Sequence, residues 1–177
     1  MQHWHSMLND QLLPAVRHDQ FWREAIEQFA ASVKSRNSVH LAIFVEPYLQ
    51  YVLDGKKTIE SRFSTRRFAP YGQVDQGDII LLKKASGPIV GLCQVSSAWF
   101  YQLVKESLDK IKRDYAVELC AQDPEFWKER EGASFATLIR ISNVLQIEPF
   151  AVSKRDRRGW VVLHSASQQM DFPMETV

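Results

Sequence analysis

Residues 55–62 read GKKTIESR, and this segment places three cationic side chains and one carboxylate within eight residues. It follows a short apolar helical pattern and opens a predicted strand. A strand with a purely structural role more often alternates apolar and polar residues. The concentrated, mixed charge therefore favours a site that binds an anion or a polar group while balancing its own charge.

The residues before this segment predict a strand and then a helix. Residues 40–45, HLAIFV, are apolar enough for a buried strand. Pro47 suits the first turn of the helix, because proline fixes φ and lacks an N–H that would be left without a partner there. Gly55 falls where a left-handed residue would end that helix. The charged segment thus begins at a sharp helix-to-strand reversal, a place where ligands tend to bind.

The residues after the segment predict further strands and two helices. Residues 79–82 and 89–100 form a predicted hairpin with a four-residue turn, and Gly91 indicates a bulge or a close backbone approach in its second strand. Two helical patterns follow. The first has Leu108, Ile111, Tyr115 and Leu119 on its inner face, and a shorter one starts at Asp123-Pro124. Residues 136–147 and 160–164 are the last predicted strands. Because strands and helices do not alternate regularly, a doubly wound parallel sheet is not expected. The sequence predicts an α+β fold, a small and mostly antiparallel β-barrel with inserted helices.

Residues 1–38 are predicted to form an N-terminal helical extension. Trp22, Ile26 and Phe29 recur at helical spacing and give one apolar, largely aromatic face. Two alternatives stay open for this face: it packs on the outside of the domain and closes its core, or it binds a partner protein or a second copy of the chain. Residues 39–165 are predicted to form the barrel domain, with residues 166–177 as a C-terminal tail.

Composition limits the classes of function. The 177 residues carry 22 basic and 21 acidic side chains, so anion binding requires a local patch and not a net field. Cys93 and Cys120 form no C-x-x-C pair, which predicts reduced thiols and a cytoplasmic location. No apolar run approaches the roughly 20 residues of a membrane-spanning helix. The histidines are scattered and no glycine-rich phosphate loop is present, so neither a metal nor a cofactor is predicted.

The pattern G-x-K-x-x-E-x-R, formed by Gly55, Lys57, Glu60 and Arg62, lies after a predicted helix and ahead of a hairpin that contains Gly77-Asp78. In this context it resembles the activating signal cointegrator homology (ASCH) domain family over residues 40–164. The resemblance implies a β-barrel similar to the PUA fold of RNA-modifying enzymes, and a cleft beside the motif that holds RNA or a nucleotide. Some small members of the family are amidohydrolases that deacylate N4-acetylcytidine and others are nucleases, so the resemblance leaves the activity open.

One position departs from those amidohydrolases. Where they carry a threonine whose hydroxyl pairs with the motif lysine, this chain has Glu60, which argues against a direct transfer of their mechanism. A neighbouring carboxylate raises the pKa of a lysine, so we expect Lys57 to stay charged and to bind an anion. If the protein is an enzyme, Lys57 and Glu60 are the expected catalytic residues.

The expected partner is RNA, a nucleotide or a nucleoside. Arg62 presents a planar fork suited to phosphate or a base edge, and Glu60 can accept from an exocyclic amine. A basic turn precedes the last strand, and phosphate contacts and a merely solvated turn stay open for it. The complete set of expected ligand-binding residues is Gly55, Lys57, Glu60, Arg62, Arg66, Arg67, Lys154, Arg155, Arg157 and Arg158.

Overall fold

The computed structural model describes residues 6–31, 36–152 and 158–166. Its strands are β1 (Val39–Phe44), β2 (Ile59–Ser64), β3 (Ile79–Lys84), β4 (Ile89–Gln102), β5 (Phe135–Phe150) and β6 (Trp160–His164). They form one curled sheet in the order β2-β5-β4-β3-β1-β6. Only the pair β1 and β3 is parallel, and the other neighbours are antiparallel. The expected α+β class with a mostly antiparallel, barrel-like sheet is confirmed.

Helices lie before the sheet and between its strands. A π-helical turn at Leu8–Leu12 is followed by α1 (Leu13–Val16), α2 (Gln20–Ala31), α3 (Tyr48–Leu53), α4 (Lys105–Tyr115) and α5 (Pro124–Lys128). Gly55, with φ of 71°, has the left-handed conformation expected just after α3. Asp123 caps α5 by accepting a hydrogen bond from the Glu125 amide.

The helix predicted through Leu119 ends earlier. α4 stops at Tyr115, and the chain reverses at Cys120, whose φ of 52° lies outside the helical region. Leu119 keeps its predicted inward direction and is buried. The early end of the helix leaves the Leu119 carbonyl available to a side chain of the charged segment, as described below.

Two layers of apolar residues lie on opposite faces of the sheet. Leu81 packs against the N-terminal helices together with Val39, whereas Ile80 and Leu82 pack on the other face with Phe44. Successive side chains of a strand point to opposite faces, so both faces of β3 are buried. A third cluster, around Ile59 and Leu138, joins the far ends of β2 and β5 to α4 and α5.

The N-terminal helices are part of the core. Trp22, Ile26 and Phe29 are buried against β1 and β3, and the Trp22 indole N–H donates to the Asn143 carbonyl at 2.8 Å. Of the aromatic residues on α2, Phe21 alone is substantially exposed, at 45%. This packing matches the first of the two alternatives, in which α2 closes the core, and it leaves little apolar face for a partner. The division of the chain into residues 1–38, 39–165 and 166–177 stays a prediction.

The hairpin of β3 and β4 has the predicted four-residue turn, and the register between them shifts around Gly91. A Cβ at Gly91 would lie 2.9 Å from the Leu145 carbonyl oxygen, so glycine allows the close approach of β5. The predicted bulge is confirmed. No helix in the described part of the chain is both long and apolar enough to cross a membrane.

Candidate functional site

A cleft of about 560 Å³ opens beside the charged segment. One wall is β2 along most of its length, and the opposite wall is formed by α5 and the turns that follow it. The end of β1 and the start of α3 close its base. Polar and charged side chains share the lining with aromatic rings, and these residues are Tyr48, Lys57, Glu60, Arg62, Phe63, Phe126, Glu129 and Arg130, with Phe44 and Ser61 between them.

Glu60 is the centre of the motif. Its Oε2 lies 3.4 Å from Lys57 Nζ, and its Oε1 lies 2.8 Å from Arg62 Nε. The Arg62 Nε–H does not align with that oxygen, so the second contact is ionic more than a directed hydrogen bond. Lys57 is 3% exposed and Glu60 5%. The ion pair is thus buried, unlike the exposed pair that two charged residues on a strand more often form.

Burial and charge act on Lys57 in opposite directions. Removal from water lowers the pKa of Lys57 below its ordinary value, and the attraction of Glu60 offsets part of that effect. The Lys57 ammonium also donates to the Leu119 carbonyl at 3.0 Å and lies 5.6 Å from the centre of the Tyr48 ring. Glu60 does raise the pKa of Lys57, as expected, but burial lowers it by more, so the net direction is opposite to the expected one.

Arg62 connects parts of the sheet that no strand pairing joins. Its two terminal nitrogens donate to the carbonyls of Ile43 at 3.0 Å and Gly159 at 3.2 Å. The guanidinium carbon lies 5.1 Å from the centre of the Phe44 ring and 5.3 Å from that of Trp160. Since β2 and β6 are the two edge strands of the sheet, Arg62 bridges the gap left where the curled sheet does not close.

A buried polar chain supports one of these rings. The Trp160 indole N–H donates to His40 Nδ1 at 3.2 Å, and an indole can only donate, so the remaining proton of the neutral imidazole lies on Nε2. His40 Nε2 is 3.0 Å from Asp78 Oδ2, and Asp78 Oδ1 accepts from the Ser38 amide. The buried carboxylate thus orients the histidine, which holds the tryptophan beside Arg62.

The opposite wall carries a second arginine. Arg130 lies just after α5, and its guanidinium carbon is 3.5 Å from the centre of the Phe126 ring. One of its terminal nitrogens donates to the Phe126 carbonyl and lies 3.1 Å from Glu129. Arg130 is partly exposed. It is therefore the most accessible of the three cations that line the cleft.

The structure brings together only part of the expected site. Lys57, Glu60 and Arg62 line the cleft, whereas Gly55 shapes the turn before it. Among the remaining basic residues, Arg66 and Arg67 are exposed at the end of β2, and Arg158 is exposed just ahead of β6. Lys154, Arg155 and Arg157 lie outside the described residues.

The lining residues that were not expected from the sequence include Tyr48, Phe63, Phe126 and Arg130. A signal for two of them exists, because Phe126 and Arg130 are four residues apart and can meet on one helical face. The sequence does not show that Phe126 and Arg130 lie across the cleft from the motif, because their position depends on how α5 packs against the sheet.

The comparisons with known proteins agree with this architecture. The family model described as the ASCH domain matches residues 43–151. The crystal structure of ASCH from Zymomonas mobilis is similar, with a TM-score of 0.51 and 14% identity over 63% of this chain and 72% of that chain. A mutant of ASCH from the same organism has a TM-score of 0.52 and 15% identity over 67% of this chain and 76% of that one. At such identity the likeness is one of fold. No curated protein matches the chain.

Proposed function

The chain belongs to the ASCH domain family, and on that premise we propose that it binds RNA, or a nucleotide-like ligand, in the cleft beside the motif. The observation that carries the proposal is the composition of the cleft walls, where cations and aromatic rings together line a space of about 560 Å³. Proteins recognise unpaired bases by stacking them on aromatic or guanidinium planes and by contacting their phosphates with cations.

The aromatic rings supply surfaces on which a base can stack. Tyr48, Phe63 and Phe126 line the cleft, and the Phe126 ring lies edge to face with Phe63 and at a tilt to Tyr48. The rings hold one another, so they offer a platform that requires little ordering when a ligand binds. Base stacking on such rings tolerates any sequence.

The charges favour an anionic ligand. Lys57, Arg62 and Arg130 outnumber the carboxylates of Glu60 and Glu129 along the walls. Lys57 is buried, and both terminal nitrogens of Arg62 donate to backbone carbonyls. Arg130 is partly exposed and makes its contacts with the Phe126 carbonyl and Glu129 through one terminal nitrogen, so we assign its other terminal nitrogen to a phosphate. A guanidinium stacked on a ring is well suited to this role, because its planar fork is already oriented.

The test is the affinity for a single-stranded RNA oligomer at low salt, measured by filter binding. Arg130→Gln should weaken binding about tenfold or more, because one charge-assisted contact is lost. Arg113→Gln removes the same charge from an exposed residue of α4 that does not line the cleft, and it should leave the affinity nearly unchanged. Affinity should also fall as salt rises, since phosphate contacts release counterions. Absence of binding at low salt would contradict the proposal.

One observation favours an enzymatic alternative. Lys57 is buried beside a carboxylate with its pKa lowered by desolvation, and such groups are candidates for general bases. In this alternative the neutral amine takes a proton from water, which attacks the acyl carbon of an acylated pyrimidine nucleoside such as N4-acetylcytidine. The products are then acetate and cytidine, and Glu60 would relay the proton.

Incubation of the protein with N4-acetylcytidine tests this alternative. Turnover that Lys57→Met abolishes, and that Lys56→Met leaves intact, would support hydrolysis. Lys56 is a suitable control because its ammonium is exposed and pairs with Asp54. Equal turnover by both variants would exclude Lys57 as the base. Cleavage of RNA without added metal would instead support the ribonuclease activity that the family resemblance leaves open.

A further inference from the structure

A second, smaller cavity of about 190 Å³ adjoins the motif cleft. The two cavities share Arg62, Phe63 and Ser64 in their walls. The smaller one continues past β2 to the segment 68–70 on one side and to Gly159 and Trp160 on the other. A ligand in the cleft that extends past Arg62 therefore enters this second cavity next.

An exposed aromatic ring stands at the second cavity. Phe68 lines it and is 56% exposed. A large apolar side chain that exposed adds nothing to the core. The other wall of the cavity is rigid, because Trp160 is buried and held by His40, and Pro70 is buried as well. Phe68 is thus an exposed ring beside a preformed wall.

Three of the expected basic residues are close in the chain to residues that line this second cavity. Arg66 and Arg67 directly precede Phe68, and the Arg67 guanidinium carbon lies 5.4 Å from the centre of the Phe135 ring. Arg158 directly precedes Gly159, the residue on the opposite side. Arginines therefore adjoin, along the chain, lining residues from two separate segments of a cavity that carries an exposed ring. Cations that follow a backbone, combined with rings on which bases stack, are the usual design of sites for single-stranded nucleic acid.

We propose that the second cavity is a subsite for the neighbouring nucleotide of a single-stranded nucleic acid, whose first base occupies the motif cleft. This inference rests on the proposed function of that cleft. It narrows the ligand from a free nucleotide to a strand of at least two nucleotides. The base in the second cavity stacks on Phe68, and the phosphates lie along Arg66, Arg67 and Arg158.

The experiment measures the affinity of the full chain for oligouridylates of one, two, three and six nucleotides. Affinity should rise most between one and two nucleotides. Phe68→Ala should lower the affinity for the dinucleotide and longer strands about fivefold or more, the usual effect of losing one stacking ring. It should leave the affinity for the mononucleotide unchanged. Phe68→Trp should restore binding of the longer strands, which a change that merely disturbs the fold would not do.

Phe21→Ala is the matched control, because it removes another exposed phenylalanine, at 45%, from the distant α2. It should alter none of these affinities. A parallel series of oligodeoxyuridylates, which lack only the 2′-hydroxyl, should show the same step in affinity between one and two nucleotides, because base stacking does not require that hydroxyl.

Two results would overturn the inference. If the mononucleotide binds but longer strands bind no tighter, or if Phe68→Ala weakens every length equally, the second cavity is not a subsite while the proposed function of the cleft stands. If no length binds to the unmodified chain, the proposed function itself fails and the subsite with it.

Discussion

Glu60 is the residue on which the charges of the motif depend. Its two carboxylate oxygens face Lys57 and Arg62 separately. A buried charge is tolerated when it is paired and hydrogen-bonded, and the loss of one partner leaves the others uncompensated. Two predictions at the residue scale follow from this arrangement.

The first prediction concerns the charge of Glu60. Glu60→Gln leaves two cations near each other without a counter-ion, and it should lower the free energy of unfolding by about 3–5 kcal/mol. Urea denaturation measures this change. Glu125→Gln is the control, because Glu125 forms an exposed pair with Lys128 and should cost less than about 1 kcal/mol. Equal costs for the two variants would mean that the buried pair adds no more than a surface pair.

The second prediction concerns pH. In the folded protein burial keeps the pKa of Lys57 below the value of about 10.4 that a lysine has in an unfolded chain. Between these two pKa values the unfolded chain binds more protons than the folded one, so the contribution of this group to the free energy of unfolding rises with pH. The contribution is unfavourable below the lowered pKa, and this penalty shrinks as the pH rises from that value toward the pKa of the unfolded chain.

Denaturation of the unmodified protein and of Lys57→Met, from about pH 7 to pH 10, measures this contribution. The stability of the unmodified protein relative to the variant should increase toward the alkaline end of this range. Lys56→Met is the control, because the Lys56 ammonium is exposed, and its difference from the unmodified protein should stay flat. A difference for Lys57→Met that decreases with pH would show that the attraction of Glu60 outweighs burial.

At the scale of elements, β2 and β6 are the open edges of the sheet, and a side chain joins them in place of a strand ladder. Arg62 on β2 donates to Ile43 on β1 and to Gly159 just before β6, and it lies between the Phe44 and Trp160 rings. Such a bridge also covers backbone groups that an edge strand would otherwise expose. The motif arginine therefore has a structural role in addition to its position in the cleft.

Removal of the Arg62 bridge should make the edge strand β6 open more readily. Arg62→Met keeps the apolar stem but loses the guanidinium. Each lost hydrogen bond should lower the free energy of opening by about 1.5 kcal/mol. Amide hydrogen exchange in β6 should therefore become at least about tenfold faster. Arg140→Met removes a guanidinium from β5 that pairs with Glu118 instead. Exchange in β6 should be unaffected in this control. Unchanged exchange in both variants would contradict the bridging role.

At the scale of the whole molecule, the N-terminal helices complete the core. Val39 and Leu81 would face solvent without them, because these residues belong to the cluster that includes Trp22 and Ile26. The family model begins at residue 43, well after these helices. The domain therefore relies on an element outside the matched segment to cover one face of its sheet.

This reliance gives a testable consequence. Ile26→Ala opens a cavity in the shared core and should lower the free energy of unfolding by about 2–5 kcal/mol, measured by thermal or urea denaturation. Phe21→Ala, on the exposed side of the same helix, should change it by less than about 1 kcal/mol. If both substitutions were nearly neutral, the helix would be a separate unit and the core would be complete without it.

Much of the fold follows from local sequence. Gly55 ends α3 in a left-handed conformation, Asp123 caps α5, and Gly91 marks a bulge, each as predicted. The motif itself was also identified, because the spacing of its charges is visible in eight consecutive residues. These features depend on backbone preferences within a few residues, which neighbouring side chains largely determine.

Only the tertiary structure decided what the motif contacts. Arg62 meets Ile43 and Gly159, which lie 19 and 97 residues away in the chain, and Arg130 reaches the cleft from the opposite wall. The burial that lowers the pKa of Lys57 likewise depends on how the chain after α4 packs over it. Such contacts depend on how far the sheet curls and how the helices pack against it, and these are properties of the whole chain that no local pattern encodes.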